Sequence, residues 1–79
     1  MARFPDDFIQ KVHPVISGST QWTLSDADDN MLFSVVGGGI GIYGDGVRTF
    51  EMYDCEQADV VLQNATIKEI NDYLSKLEQ

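Results

Sequence analysis

Gln21-Trp22-Thr23-Leu24-Ser25-Asp26-Ala27-Asp28-Asp29-Asn30-Met31-Leu32-Phe33-Ser34-Val35-Val36 decides the fold class. Its first four residues alternate polar and apolar, as a half-buried strand does. Residues 31–36 are apolar and β-branched and too few for a helix, so they read as a second strand. Residues 25–30 between them form a polar turn, because Asp and Asn side chains bond to nearby backbone amides and stabilise reversals. Strand, turn and strand make a hairpin.

Toward the C-terminus, Gly37-Gly38-Gly39 interrupts the pattern and Ile40-Gly41-Ile42-Tyr43 resumes the alternation. Gly44-Asp45-Gly46 carries the Asp-Gly signal of a tight turn, so residues 47–53 are expected to pair back. Residues 54–58 form an acidic loop, and Val60-Val61-Leu62 reads either as a short fifth strand or as an extended lead-in to the segment that follows. Thr66-Ile67-Lys68-Glu69 has the capping-box spacing, with hydroxyl and carboxylate each satisfying an orphan amide of a helix start. Ile67, Ile70, Leu74 and Leu77 repeat at helical spacing with Tyr73 beside them, a stripe that must cover the sheet.

Toward the N-terminus, Phe8, Ile9, Val12, Val15 and Ile16 fall on one helical face, Pro5 suits a first helical position, and Asp6 and Asp7 complement the dipole. Pro14 ends such a helix near Val12 or His13. The expected architecture is α+β: a small antiparallel meander of four to five strands, a short N-terminal helix, and a C-terminal helix packed on one face. With 79 residues, one domain over 1–79 is expected.

Composition narrows the function. Thirteen acids against five bases leave a formal charge of −8, which repels a phosphate backbone and anionic membrane surfaces. Direct nucleic-acid binding and membrane association are therefore not expected. No apolar stretch approaches the roughly 18 residues of a membrane span, and residues 1–7 lack the apolar core of a secretory signal. One cysteine, Cys55, allows no intrachain disulfide. A cytoplasmic location follows, the host cytoplasm if a phage encodes the chain.

Motifs that suggest chemistry fail in their context. Gly39-Ile40-Gly41-Ile42-Tyr43-Gly44 matches GxGxxG, but it leads into Asp45-Gly46 and another strand instead of opening a helix. Glycine-permitted hairpin geometry explains it better, although the amides of residues 37–41 offer a nest for a nucleotide-type anion. Asp26, Asp28 and Asn30 copy the first ligands of an EF-hand loop, whereas Met31 and Gly37 stand where it needs glycine and glutamate. Cys55 sits between Asp54 and Glu56, which work against a reactive thiolate, and His13 precedes Pro14 at a chain turn. No cofactor, metal site or enzymatic activity is expected. Asn64-Ala65-Thr66 matches a glycosylation sequon, but the helix cap is the better reading of Thr66.

The charge itself remains. Residues 1–25 sum to zero, residues 26–64 to −7 (eight acids against Arg48), and residues 65–79 to −1. In size, charge and lack of catalytic groups the chain resembles the small acidic proteins that phages use against host defences, DNA mimics and anti-CRISPR proteins among them. It also resembles immunity proteins that block basic nuclease toxins. That resemblance implies a non-enzymatic inhibitor that binds a basic, nucleic-acid-handling protein such as a nuclease. Asp26, Asp28, Asp29, Asp45, Glu51, Asp54, Glu56 and Asp59 are the expected contact residues, with Tyr43 and Tyr53 as anchors. The alternatives are a small-ligand binder or sponge built on the glycine-rich loop, and a structural or assembly subunit, each compatible with a homo-oligomer.

Overall fold

The computed structural model describes residues 2–77; the two ends of the domain expected over 1–79 lie outside the described residues. Strands β1 (Ile9–Val12), β2 (Thr20–Ser25), β3 (Met31–Gly37), β4 (Phe50–Asp54) and β5 (Asp59–Ala65) form one antiparallel sheet in the order of the chain, followed by helix α1 (Ile67–Leu77). The α+β class stands, and the hairpin of residues 21–36 forms with Trp22 opposite Val35 and Leu24 opposite Phe33.

Strand periodicity sorts the residues into two faces. Trp22, Phe33, Val35, Phe50 and Met52 point to one side, where Ile70 and Leu74 of α1 close the core. Ile9, Lys11, Gln21, Thr23, Ser34, Val36, Glu51 and Tyr53 occupy the other, as the cross-strand rows Ile9–Thr23–Ser34–Tyr53 and Lys11–Gln21–Val36–Glu51 show. The capping box forms as the sequence indicates: Glu69 N–H donates to Thr66 Oγ1 at 3.2 Å, and Thr66 N–H to Glu69 Oε1 at 3.0 Å. Of the helical stripe, Ile70 and Leu74 are buried and Tyr73 packs at the margin, whereas Ile67 and Leu77 stay substantially exposed.

Two sequence expectations are corrected. The N-terminal helix is absent: residues 4–7 make a turn and residues 9–12 become β1. Packing decides this against periodicity. Phe4 enters the core and meets Phe8, Trp22 and Phe50 edge to face, with centroids 5.1, 5.7 and 5.1 Å away. The buried Asn71 carboxamide clamps the Phe4 backbone, accepting its N–H at 2.8 Å and donating to its carbonyl at 2.9 Å. A helix from Pro5 to Val12 or His13 cannot deliver Phe4 and Phe8 to the core and also lend β2 an edge partner. The chain does both by making a turn at residues 4–7 and then running extended as β1.

The second correction concerns residues 40–43. They form no strand but belong to a loop over residues 38–49, and β4, which begins at Phe50 and not at Val47, pairs directly with β3. Close approach explains both the loop and its glycines. A Cβ on Gly37 would lie 2.4 Å from Gly46 Cα, and one on Gly44 would lie 2.6 Å from Phe50 Cα. Only glycine lets the loop fold back onto the foot of β3 and the start of β4.

Candidate functional site

In an antiparallel meander, alternate connections fall at the same end of the sheet. The β2–β3 and β4–β5 turns therefore share one end, here called the hairpin end. The β1–β2 connection and the residue 38–49 loop share the other, the loop end. Cys55 N–H donates to Leu32 O at 3.0 Å, which ties the two hairpin tips together.

This topology divides the expected contact residues. Asp26, Asp28, Asp29, Asp54, Glu56 and Asp59 gather at the hairpin end, where residues 25–32 and 54–60 contain six acids and no base. Tyr53, Met31 and Leu32 are exposed beside them. Asp45, Glu51 and Tyr43 lie toward the loop end and form a separate group, with Tyr43 N–H donating to Glu51 Oε2 at 3.1 Å.

Within the hairpin end the acids have two kinds of work. Asp26 folds its own turn: it accepts the N–H groups of Asp28 and Asn30 at 2.9 Å and the Asn30 carboxamide at 3.3 Å. Those amides, the Asn30 backbone first, hold its carboxyl below the usual carboxylate range, with desolvation opposing them. Asp54 is buried on the core face and accepts from Glu56 N–H at 3.0 Å, Gln57 N–H at 3.3 Å and Tyr73 O–H at 3.0 Å. Burial, and then the Asp54 carboxylate, push the Tyr73 phenol up. Asp59 accepts the N–H of Val60 at 2.8 Å. The carboxylates of Asp28, Asp29 and Glu56 accept no hydrogen bond among the described residues and stand in solvent.

The motifs resolve into structure. The Asp26–Asn30 segment is the turn just described, and among the described residues no three His, Cys, Asp or Glu side chains are placed to hold a metal ion. Just before the GxGxxG segment, Gly38 N–H donates to Gly44 O at 3.0 Å, so one amide of the nest expected over residues 37–41 is engaged within the loop itself. Cys55 and His13 sit at opposite ends of the sheet. Burial first, and then the Asp54 charge, push the Cys55 thiol up, while His13 Nδ1 accepts the N–H groups of Val15 and Ile16 at 3.1 and 3.0 Å. The imidazole is thus a turn cap. A shallow depression between α1 and β5, lined by Leu62, Glu69, Asp72, Tyr73 and Lys76, is open to solvent and carries the exposed Lys68–Asp72 pair near its rim.

Among the described residues no helix is long and apolar enough to cross a membrane. Comparison with protein-family models, with curated proteins and with solved structures returns no match to this chain.

Sequence reasoning located the acids but not their division. The alternation of connections in a meander was the available signal, and it separates residues 26–30 and 54–59 from residues 38–49 once the strands are known. The structural roles of Asp26 and Asp54 had the Asx-turn pattern as their signal. Nothing local marked the Phe4–Asn71 clamp, whose partners are 67 positions apart.

Proposed function

We propose that the chain is a non-enzymatic binding protein that docks its hairpin end on a basic surface of another protein, and that it inhibits a nucleic-acid-handling partner by occupying that surface. One observation carries the reading: six acids and no base in the two turns at one end of the sheet, with three carboxylates that accept no hydrogen bond among the described residues and with Tyr53, Leu32 and Met31 exposed at that end. An apolar and aromatic centre with a charged rim is the usual anatomy of a protein interface. Clustered like charge steers a basic partner into encounter, and this steering weakens with salt. Asp28, Asp29 and Glu56 are the residues assigned to the contact, because their removal leaves no buried donor unsatisfied.

The test compares the wild-type chain with the triple variant Asp28→Lys, Asp29→Lys, Glu56→Lys. Each is used as bait in a lysate at low and at high salt, and the retained protein is then titrated against both. The expected result is a basic partner, held by the wild type, released by salt, and bound at least about 100-fold more weakly by the triple variant, roughly 1 kcal/mol per reversed charge. Equal affinity for both baits, or a partner that binds independently of salt, sinks the proposal.

A further inference from the structure

The loop end differs from the surface just described in its charge and in how far its apolar side chains stand out. Val12, Val15, Ile40, Tyr43 and Val47 lie there with exposures of 80, 83, 95, 57 and 76%. Val12 ends β1, and the other four belong to two connections in direct contact: a Cβ placed on Gly39 would lie 2.7 Å from Ser19 Cβ and 2.8 Å from Ile16 Cγ2. Scattered exposed apolar side chains need no explanation, but five at one end of so small a chain do.

These side chains stand on anchored backbone. The Asp45 carboxylate accepts the amides of Val47, Arg48 and Thr49 at 2.7, 2.7 and 3.1 Å. Tyr43 is held from both sides, its N–H by Glu51 and its carbonyl by Asn64 N–H at 2.7 Å. His13 fixes the amides of Val15 and Ile16 in the neighbouring connection. A preorganised apolar surface loses little conformational freedom on association.

The charge pattern selects the occupant. Lys11 and Arg48 against Asp45 and Glu51 make the loop end neutral, the six hairpin-end acids contribute −6, and the remaining charged residues contribute −2, which together give the chain its −8. Two copies at −8 repel each other through most approaches. They meet at least electrostatic cost when their neutral ends touch and their acidic ends point apart, and the exposed aliphatics lie at that same end. A basic partner, by contrast, is drawn to the opposite end. We propose that two copies of this chain associate through the loop end, in a two-fold contact of Val15, Ile40, Tyr43 and Val47, leaving both hairpin ends free. A patch of this size falls at the small end of specific interfaces, so the dimer is weak, with a Kd on the order of tens of micromolar.

The test is sedimentation equilibrium of the full chain from about 10 μM to about 1 mM. The wild type should pass from monomer to dimer across this range, and added salt should tighten the dimer by screening the self-repulsion. Ile40→Asp combined with Val47→Asp, both at exposed positions, should remain monomeric throughout with an unchanged circular dichroism spectrum. Asp28→Lys with Asp29→Lys, which lowers the self-repulsion without touching the loop end, should dimerise at least as tightly as the wild type. A wild type that stays monomeric at the highest concentration overturns the proposal, as does a dimer that survives the double aspartate variant. Monomeric protein that cosediments with neutral phosphatidylcholine vesicles through Ile40 and Val47 overturns it in favour of a lipid surface.

Discussion

The two ends of the sheet are made of the same kind of element, connections between antiparallel strands, and reach order by different means. At the hairpin end the turns are short and side chains close them: Asp26 and Asp54 each gather the amides of the residues that follow. At the loop end the connections are longer and backbone closes them, with Gly37 against Gly46 and Gly44 against Phe50, and Asp45 and His13 fixing what remains. The first arrangement concentrates carboxylates at a surface; the second leaves room for aliphatic side chains that face water. A difference in turn construction thus becomes a difference in surface chemistry.

The sharpest way to break this comparison is Gly37→Ala. The new methyl group meets backbone at 2.4 Å, which no rotamer relieves, so a loss of about 3 kcal/mol is expected in denaturant unfolding. A loss below about 1 kcal/mol would show that the loop packs less tightly on β3 than the structure indicates. Asp54→Ala should follow at about 2 kcal/mol, because two turn amides and the Tyr73 hydroxyl lose their common acceptor. In that variant, amide exchange should accelerate at Glu56 and Gln57 and leave the loop end untouched. Acceleration spread evenly over both ends would refute the separation.

The smallest effect is the most specific to one end. The three amides bonded to Asp45 hold its carboxyl at about 2, against an ordinary value of 3.8. A depressed folded-state value means that this stabilisation is fully present above 3.8 and fades as the pH falls through about 2. The stability difference between wild type and Asp45→Asn should therefore shrink across that window. A difference that stays constant from neutral pH down to about 2 would show that the amide cluster does not discriminate between the protonated and ionised carboxyl.

Legibility in the sequence followed the range of the interactions. The residue 21–36 hairpin and the Thr66–Glu69 cap depend on neighbours a few positions apart, so alternation and spacing sufficed. Residues 8–16 misled because their helical periodicity is genuine, yet Ile9, Val12 and Val15 end in solvent while Phe8 is buried with Phe4. For residues 40–43 the alternation was also real, but a strand there conflicts with the direct β3–β4 register. Among the candidate contact residues, chemical type was readable and grouping was not. Asp45 and Asp54 look alike as letters, but one holds a loop at one end and the other is buried near the opposite end.

By itself the sequence determined the acidic balance, the central hairpin and the capped C-terminal helix, because these rest on composition or on contacts within about one helical turn. Only the tertiary structure decided that residues 9–12 are a strand, that six acids meet at one end, and that the most exposed aliphatics collect at the other. Each of these depends on strand order and on contacts distant in the chain. The Asn71 clamp on Phe4 draws the N-terminal segment across the core, and the antiparallel register assigns every connection to one end or the other.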